Sequence, residues 1–284
     1  MARLSGLQSN FSRLLRDPLG MLGLCLVVLI VAAALAADWI APFDPNAINV
    51  LNRLQPPSAE HWLGTDQLGR DVFSRVLMGS RIALQVALVT ISLALGIGLV
   101  LGLLAGYGPR WLDQFLVLGF DTVRSFPTIM FALALVTVLG PSLNTVIIVI
   151  VVTTIPVYGR IARTQTQGIR NNEYITAERA MGAGMLRVLG VHILPNIIGP
   201  LLIIASMDIP VVVTIEAGLS FLGVGVRPPT PSWGSILNDG YSFIRQTPWL
   251  VISGGIPLVL TTLGFTFLGE SLRDIFDPKL RKEM

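Results

Sequence analysis

Two lysines, two histidines and one cysteine are all that 284 residues carry of these types. Cys25 sits within an apolar run, which excludes a disulfide framework and a thiolate metal cluster. His61 and His192 lie far apart in the chain, and a metal site needs three or four converging ligands. A phosphate-binding P-loop needs its lysine directly after a glycine. Lys279 follows Pro278 and Lys282 follows Arg281, so the sequence has no P-loop. If ATP drives this protein, another chain must hydrolyse it.

Charge is scarce as well. Charged residues make up 13% of the chain against 52% hydrophobic, at a mean hydropathy of +0.71. A soluble globular chain carries about 25% charged residues, so the charge needed to cover a water-facing surface is missing. A net charge of +3 is too small an excess to point to nucleic acid. These numbers describe an all-α polytopic membrane protein.

Bilayer hydrocarbon about 30 Å thick needs roughly 20 apolar residues in helical form. Charge-free runs of that order occupy 18–37 and 82–109. The stretch 125–159 is too long for one helix, and Gly140-Pro141-Ser142-Leu143-Asn144 divides it into two. The first of that pair is expected to begin near Phe115 and to take in Asp121 and Arg124, which sit three apart and can pair. A fifth span is expected at 197–218 and a sixth from Trp249 to about Gly269. Ala34-x-Ala36 resembles a signal-peptide cleavage site, but the apolar core from Leu19 to Ala37 exceeds the usual limit of about 15 residues, so an uncleaved anchor is expected.

With the amino terminus inside, thirteen basic residues fall on the cytoplasmic side and six outside. The positive-inside rule then places both termini in the cytoplasm. Residues 1–81 read as a tail, one span and a long outer loop; residues 82–284 read as a five-helix core. Gly96, Gly98 and Gly102 in the second span suit close helix packing.

Three loops exceed what a connector needs. The first outer loop ends in His61-Trp62-Leu63-Gly64-Thr65-Asp66-Gln67-Leu68-Gly69-Arg70-Asp71, a tight turn expected to lead into a short amphipathic helix near Val72–Met78. It reads as a structured cap or as a docking surface. The second outer loop carries Pro228, Pro229 and Pro231, a stiff rim. On the cytoplasmic side, about 160–195 holds five arginines. Asn172 is a candidate N-cap there, with Glu173 suited to the first helical turn. Tyr174, Ala177, Ala180 and Met181 recur at helical spacing, and Gly182 and Gly184 break the helix before a second one at Met185–Val191. A helix–Gly–helix unit at the membrane surface has the form of a helix-in-groove ligand, or of a plain elbow between spans.

Thr176-Ala177-Glu178, three residues, Gly182, nine residues, then His192-Ile193-Leu194-Pro195 resembles the EAA loop of bacterial ABC-importer permeases. Thr176 stands where the family has Glu, and Glu178 where it has the second Ala. The outer-loop motif, Ala217-Gly218-Leu219-Ser220-Phe221-Leu222-Gly223 and Leu272-Arg273-Asp274-x-x-Asp277-Pro278 resemble the second, C-type permease of the dipeptide, oligopeptide and nickel branch. The resemblance implies a type I importer permease with six transmembrane helices, multi-pass in the bacterial inner membrane. It implies a heterodimer with a second permease, two ATPase subunits that bind ATP and Mg, and a periplasmic or lipid-anchored solute-binding protein. It implies no cofactor on this chain, and small-molecule or peptide cargo. Tyr174, Thr176, Ala177, Glu178, Gly182, Arg187 and Pro195 are the residues it marks for ATPase coupling.

Ionisable residues within spans cost about 2.5–3.5 kcal/mol on insertion scales, so each needs an account. Asp208 and Glu216 in the fifth span are candidates for the translocation path, and equally for packed or paired carboxyls. A self-sufficient secondary transporter or channel is the competing function. It would be expected to show inverted repeats, and no such internal symmetry is evident. A membrane enzyme would need converging catalytic groups, and a scaffold without transport is a third reading.

Overall fold

The computed structural model describes Leu14 and residues 17–276. Arg3, Arg13, Arg16, Asp277, Pro278, Lys279, Arg281 and Lys282, which entered the charge count and the terminal motif, lie outside them. The described residues are almost wholly helical. Five helices are long and apolar enough to cross a membrane, or six if one bent pair counts as a span.

The first helix, α1 (Pro18–Leu35), starts where the sequence says it must. Asp17 caps it by accepting from the Leu19 and Gly20 amides at 3.2 Å, and Pro18 at N1 has no N–H to satisfy. A short helix, α2 (Ala37–Ile40), follows. The helix α3 (Val72–Tyr107) runs without interruption for 36 residues, about 54 Å at 1.5 Å per residue. The expected short helix at Val72–Met78 is therefore its first turns: no proline intervenes, and Gly79 is taken into the helix, where it lies against the Trp233 ring.

Next come α4 (Arg110–Arg124) and α5 (Thr128–Leu139), bent 87° at Ser125-Phe126-Pro127. A single straight helix from Phe115 was the expectation. Proline restricts the residue before it to extended backbone and supplies no amide to the preceding turn, so the helix breaks there. The Gly140–Ser142 turn does separate α5 from α6 (Leu143–Ile169).

The loop sequence that follows α6 forms α7 (Glu173–Ala180) and α8 (Met185–Arg187). A π-helical turn at Val188–Ile193 then joins α8 to α9 (Leu194–Phe221) without a break. The expected interruption before Pro195 is absent. Near a helix start proline costs least, and the widened turn just upstream takes up its missing hydrogen bond. Two more helices complete the described residues, α10 (Trp233–Ser242) and α11 (Trp249–Phe276).

The chain divides into two compact units. One holds the residues up to Leu88, Val136–Val146 and those from Ser206 onward; the other holds Val89–Leu135 and Ile147–Ala205. In the first unit α1 packs along α11 through small residues: a Cβ on Gly23 would meet the Leu268 amide at 2.5 Å, and one on Gly264 the Leu26 Cβ at 2.9 Å. Val72, Ile236 and Leu250 form a buried apolar cluster, and the Trp233 indole donates to the Val76 carbonyl at 3.0 Å.

In the second unit α3 meets α6 along Gly98, Gly102 and Gly106. A Cβ on these would strike Tyr158, the Gly159 carbonyl and Thr166 at 2.5–2.8 Å. Their four-residue spacing makes one stripe on the helix. Gly96, expected in that stripe, faces open space, since two residues along a helix is a turn of about 200°.

Candidate functional site

The helix–Gly–helix elbow at 172–195 lies in the second unit, and its foundation is the α3–α6 seam. Arg170 at the end of α6 donates to the Gly106 carbonyl at 2.8 Å, which pins the point where the chain leaves the span. Asn172 then sits at the N-cap of α7 with extended backbone, without a side-chain capping bond. Glu173 in the first turn faces the positive end of the helix dipole.

One residue roots α7. Ile175 is fully buried, while Tyr174, Thr176, Ala177, Ala180 and Met181 face outward. Arg179 lies over the Tyr107 ring at 5.9 Å and adds a second tie. Thr176, at the position where the motif has Glu, turns its hydroxyl back to the Asn172 carbonyl at 3.2 Å. The apolar stripe read from the sequence is thus real but turned away from the protein's own core.

Gly182 supplies the bend. Its φ is +86°, a conformation that side chains with a Cβ rarely adopt, and its surroundings are open. Beyond it the chain doubles back, and Glu178 closes the hairpin. One carboxylate oxygen lies 3.3 Å from His192 Nε2 and the other 3.9 Å from Arg187 Nε. The His192 contact is a charge-range approach that lacks the alignment of a hydrogen bond. Val188, Leu189 and Ile193 are buried below, so the elbow stands on a packed base. Leu186 at its tip is 86% exposed and Met181 75%. Arg187 is exposed, and Pro195 lies exposed near the start of α9.

The structure therefore brings Tyr174, Thr176, Ala177, Glu178, Gly182 and Arg187 together around one bend. Ile175, Arg179 and His192 belong to the same unit and were not singled out by their sequence pattern. His192 stands in the His-Ile-Leu-Pro run, which gave it a place but no partner.

Asp208 and Glu216 belong to the first unit. Asp208 is half-buried on α9. Glu216 is fully buried and accepts the Ser220 hydroxyl at 2.7 Å; Ser220 Oγ in turn accepts the Val226 amide at 3.1 Å. Asp121 and Arg124 do not pair. Asp121 is bound by Arg160 of α6, and Asp113 by Arg163, so α4 turns its acidic side towards α6 and leaves Trp111, Phe115 and Leu118 exposed. A partner on another helix wins because α6 offers a row of arginines facing α4.

The His61–Asp71 motif of the first unit is a closed polar knot. His61 Nδ1 lies 2.9 Å from Asp71, whose other oxygen accepts the Ser74 amide and hydroxyl at the start of α3. Asp66 accepts from Arg70 Nε at 2.6 Å, and Arg75 Nε approaches it at 3.5 Å. All five charged or titratable side chains are buried, so the motif holds the loop's shape and presents none of them outward.

Residues 98–282 match the family described as "Binding-protein-dependent transport system inner membrane component", and residues 5–57 match "N-terminal TM domain of oligopeptide transport permease C". The chain is 39% identical over 271 residues to the dipeptide transport system permease protein DppC of Alkalihalophilus pseudofirmus, covering 95% of this chain and 89% of that one. It is 37% identical to the glutathione transport system permease protein GsiD of Pectobacterium atrosepticum, covering 95% and 90%. Among solved structures, an inward-facing MetNI methionine ABC transporter chain aligns with a TM-score of 0.59 at 20% identity, covering 72% of this chain and 97% of that one, which shows a shared fold. The chain belongs to the binding-protein-dependent transport system inner membrane component family, as a multi-pass permease of its oligopeptide permease C branch.

Proposed function

We propose that this chain forms half of the translocation path of an ATP-driven peptide importer, and that the elbow at 172–195 passes the work of separate ATPase subunits to the spans. The observation that carries this reading is the inverted burial of α7. A helix that buries one residue and exposes Tyr174, Met181 and, past the bend, Leu186 is shaped for a groove on another protein. Its base is tied to α3 and α6 by Arg170 and Arg179, so a push on the tip is delivered to two spans.

ATP and Mg belong to the partner subunits on this reading. A second permease supplies the other half of the path, and an extracytoplasmic binding protein delivers cargo to its mouth. Both termini lie in the cytoplasm, residues 1–81 form a peripheral span with its outer cap, and 82–284 form the core. Peptide cargo is proposed from relatives named as dipeptide, di/tripeptide and glutathione permeases.

The test replaces Tyr174 and Leu186 together by aspartate. The variant is expected to insert normally and to lose co-purification of an ATP-binding subunit. Full retention of that subunit at matched expression overturns the assignment of the elbow.

A further inference from the structure

The membrane-embedded part of the first unit contains a cavity of about 510 Å³ that the importer reading leaves unused. Val27 and Val31 of α1 line it on one side and Leu84 and Leu88 of α3 on the other, with Ile209 and Phe265 also in its wall. Only Arg81 and Gln85 among its lining residues are polar, and they are neighbours one turn apart at one end. From there to Val27 the wall runs about 10 Å along α1. A half-open apolar groove with a polar lip offers water few partners and fits an acyl chain better.

The lip has a specific chemistry. Arg81 Nε donates to the Ala34 carbonyl at 3.2 Å, Nη1 to Asp38 Oδ1 at 3.2 Å, and Nη2 lies 3.0 Å from Asp38 Oδ2. Guanidinium carries five N–H donors, so each Nη keeps one beyond this pair. Both side chains are accessible, at 39% for Arg81 and 60% for Asp38. Trp39, next in the chain and strongly exposed, marks the same level as a membrane–water boundary.

A cation with spare donors beside an accessible carboxylate is complementary to a head group that carries an anion and a hydrogen-bonding cation side by side. A phosphate with a primary ammonium meets both. A phosphoglycerol head offers Asp38 neutral hydroxyls and no cation, so the carboxylate gains no charge partner. A quaternary choline cannot donate a hydrogen bond to the carboxylate. We propose that this cavity binds a phosphatidylethanolamine, with one acyl chain between α1 and α3, the phosphate on Arg81 and the ammonium on Asp38. The inference stands independently of the coupling role assigned to the elbow.

The test uses the full transporter, extracted in mild detergent and stripped of loosely held lipid. Native mass spectrometry then follows re-addition of equal amounts of phosphatidylethanolamine, phosphatidylglycerol and phosphatidylcholine with identical chains. Retention of phosphatidylethanolamine on this subunit is expected to exceed that of phosphatidylcholine roughly tenfold, the factor expected of one charge-assisted hydrogen bond. Leu88→Trp, which fills the cavity, is expected to abolish retention. Asp38→Asn, at the exposed lip where folding is not at stake, is expected to keep lipid bound but to lose the head-group preference. Equal retention of all three lipids overturns the proposal, as does unchanged preference in Asp38→Asn. Cross-linking of Val31→Cys to the second permease, with no lipid retained, also overturns it by showing that a protein helix fills the cavity.

Discussion

The Glu178 carboxylate lies 3.3 Å from His192 Nε2 across the Gly182 bend, although fourteen residues separate the two in the chain. Arg187 lies 3.9 Å from the other oxygen of the same carboxylate. Glu178 is thus a clasp in contact with both arms. Glu178→Ala is expected to leave insertion unchanged and to lower uptake a few-fold at most, because contacts of this length without an aligned hydrogen bond are worth about 1 kcal/mol or less. Uptake of a labelled dipeptide into matched cells checks it, and wild-type uptake would remove the clasp from the account.

Gly182 is held by backbone alone, since a Cβ there would meet nothing within 4 Å. A non-glycine residue at positive φ costs about 1–2 kcal/mol, and asparagine costs least. Uptake is expected to fall in the order Gly, Asn, Ala, Val. A flat series would mean that the bend relaxes freely.

The α3–α6 seam yields a paired prediction. Gly102→Leu places a side chain where Ala162 Cβ and the Gly159 carbonyl stand 2.5 Å from the Cβ position. It is expected to lower the thermal midpoint of the purified protein markedly. Gly96→Leu, two residues away and facing open space, is expected to leave the midpoint within about 2 °C. Equal losses would show that the seam is not where the two helices touch.

The helix α10 carries a pH-dependent contribution through Asp239. Burial raises the pKa of Asp239 above the ordinary carboxylate range, against opposing contributions from Gln67 and Arg70. A carboxyl with a raised folded pKa stabilises the fold fully below its unfolded pKa, and that contribution is lost as pH rises through the folded value. Wild type is therefore expected to gain on Asp239→Asn as pH falls from 7 towards 4, when the difference in thermal midpoint between the two is followed. A difference that moves the other way would mean that the Arg70 contact, at 3.6 Å, outweighs burial.

Much of this was legible beforehand. Apolar runs of bilayer length located each long helix among the described residues, even the one that carries Asp208 and Glu216, and the Gly140-Pro141 turn was readable from its residues. The 87° break at Ser125-Phe126-Pro127 was missed although Pro127 was in plain view, since the absence of charge drew one helix across it. Asp121 was given the nearest arginine in sequence, whereas its partner Arg160 comes from another helix that no local pattern points to. At the elbow, periodicity found the stripe of Tyr174, Ala177 and Met181 but not the side it faces. An apolar stripe looks the same whether it meets the chain's own core or a partner, and only the burial of Ile175 on the other side of α7 separates the two.

The account turns on whether the tip of the elbow touches an ATPase. A photo-cross-linking amino acid at Leu186, in the whole transporter in native membranes, tests this most directly, with the same group at the exposed Tyr241 of α10 as the control. The account predicts that Leu186 yields an adduct with a P-loop ATPase subunit, that the yield changes when ATP is supplied, and that Tyr241 yields none. Cross-links from Leu186 to lipid alone, with the ATPase present and folded, would contradict it.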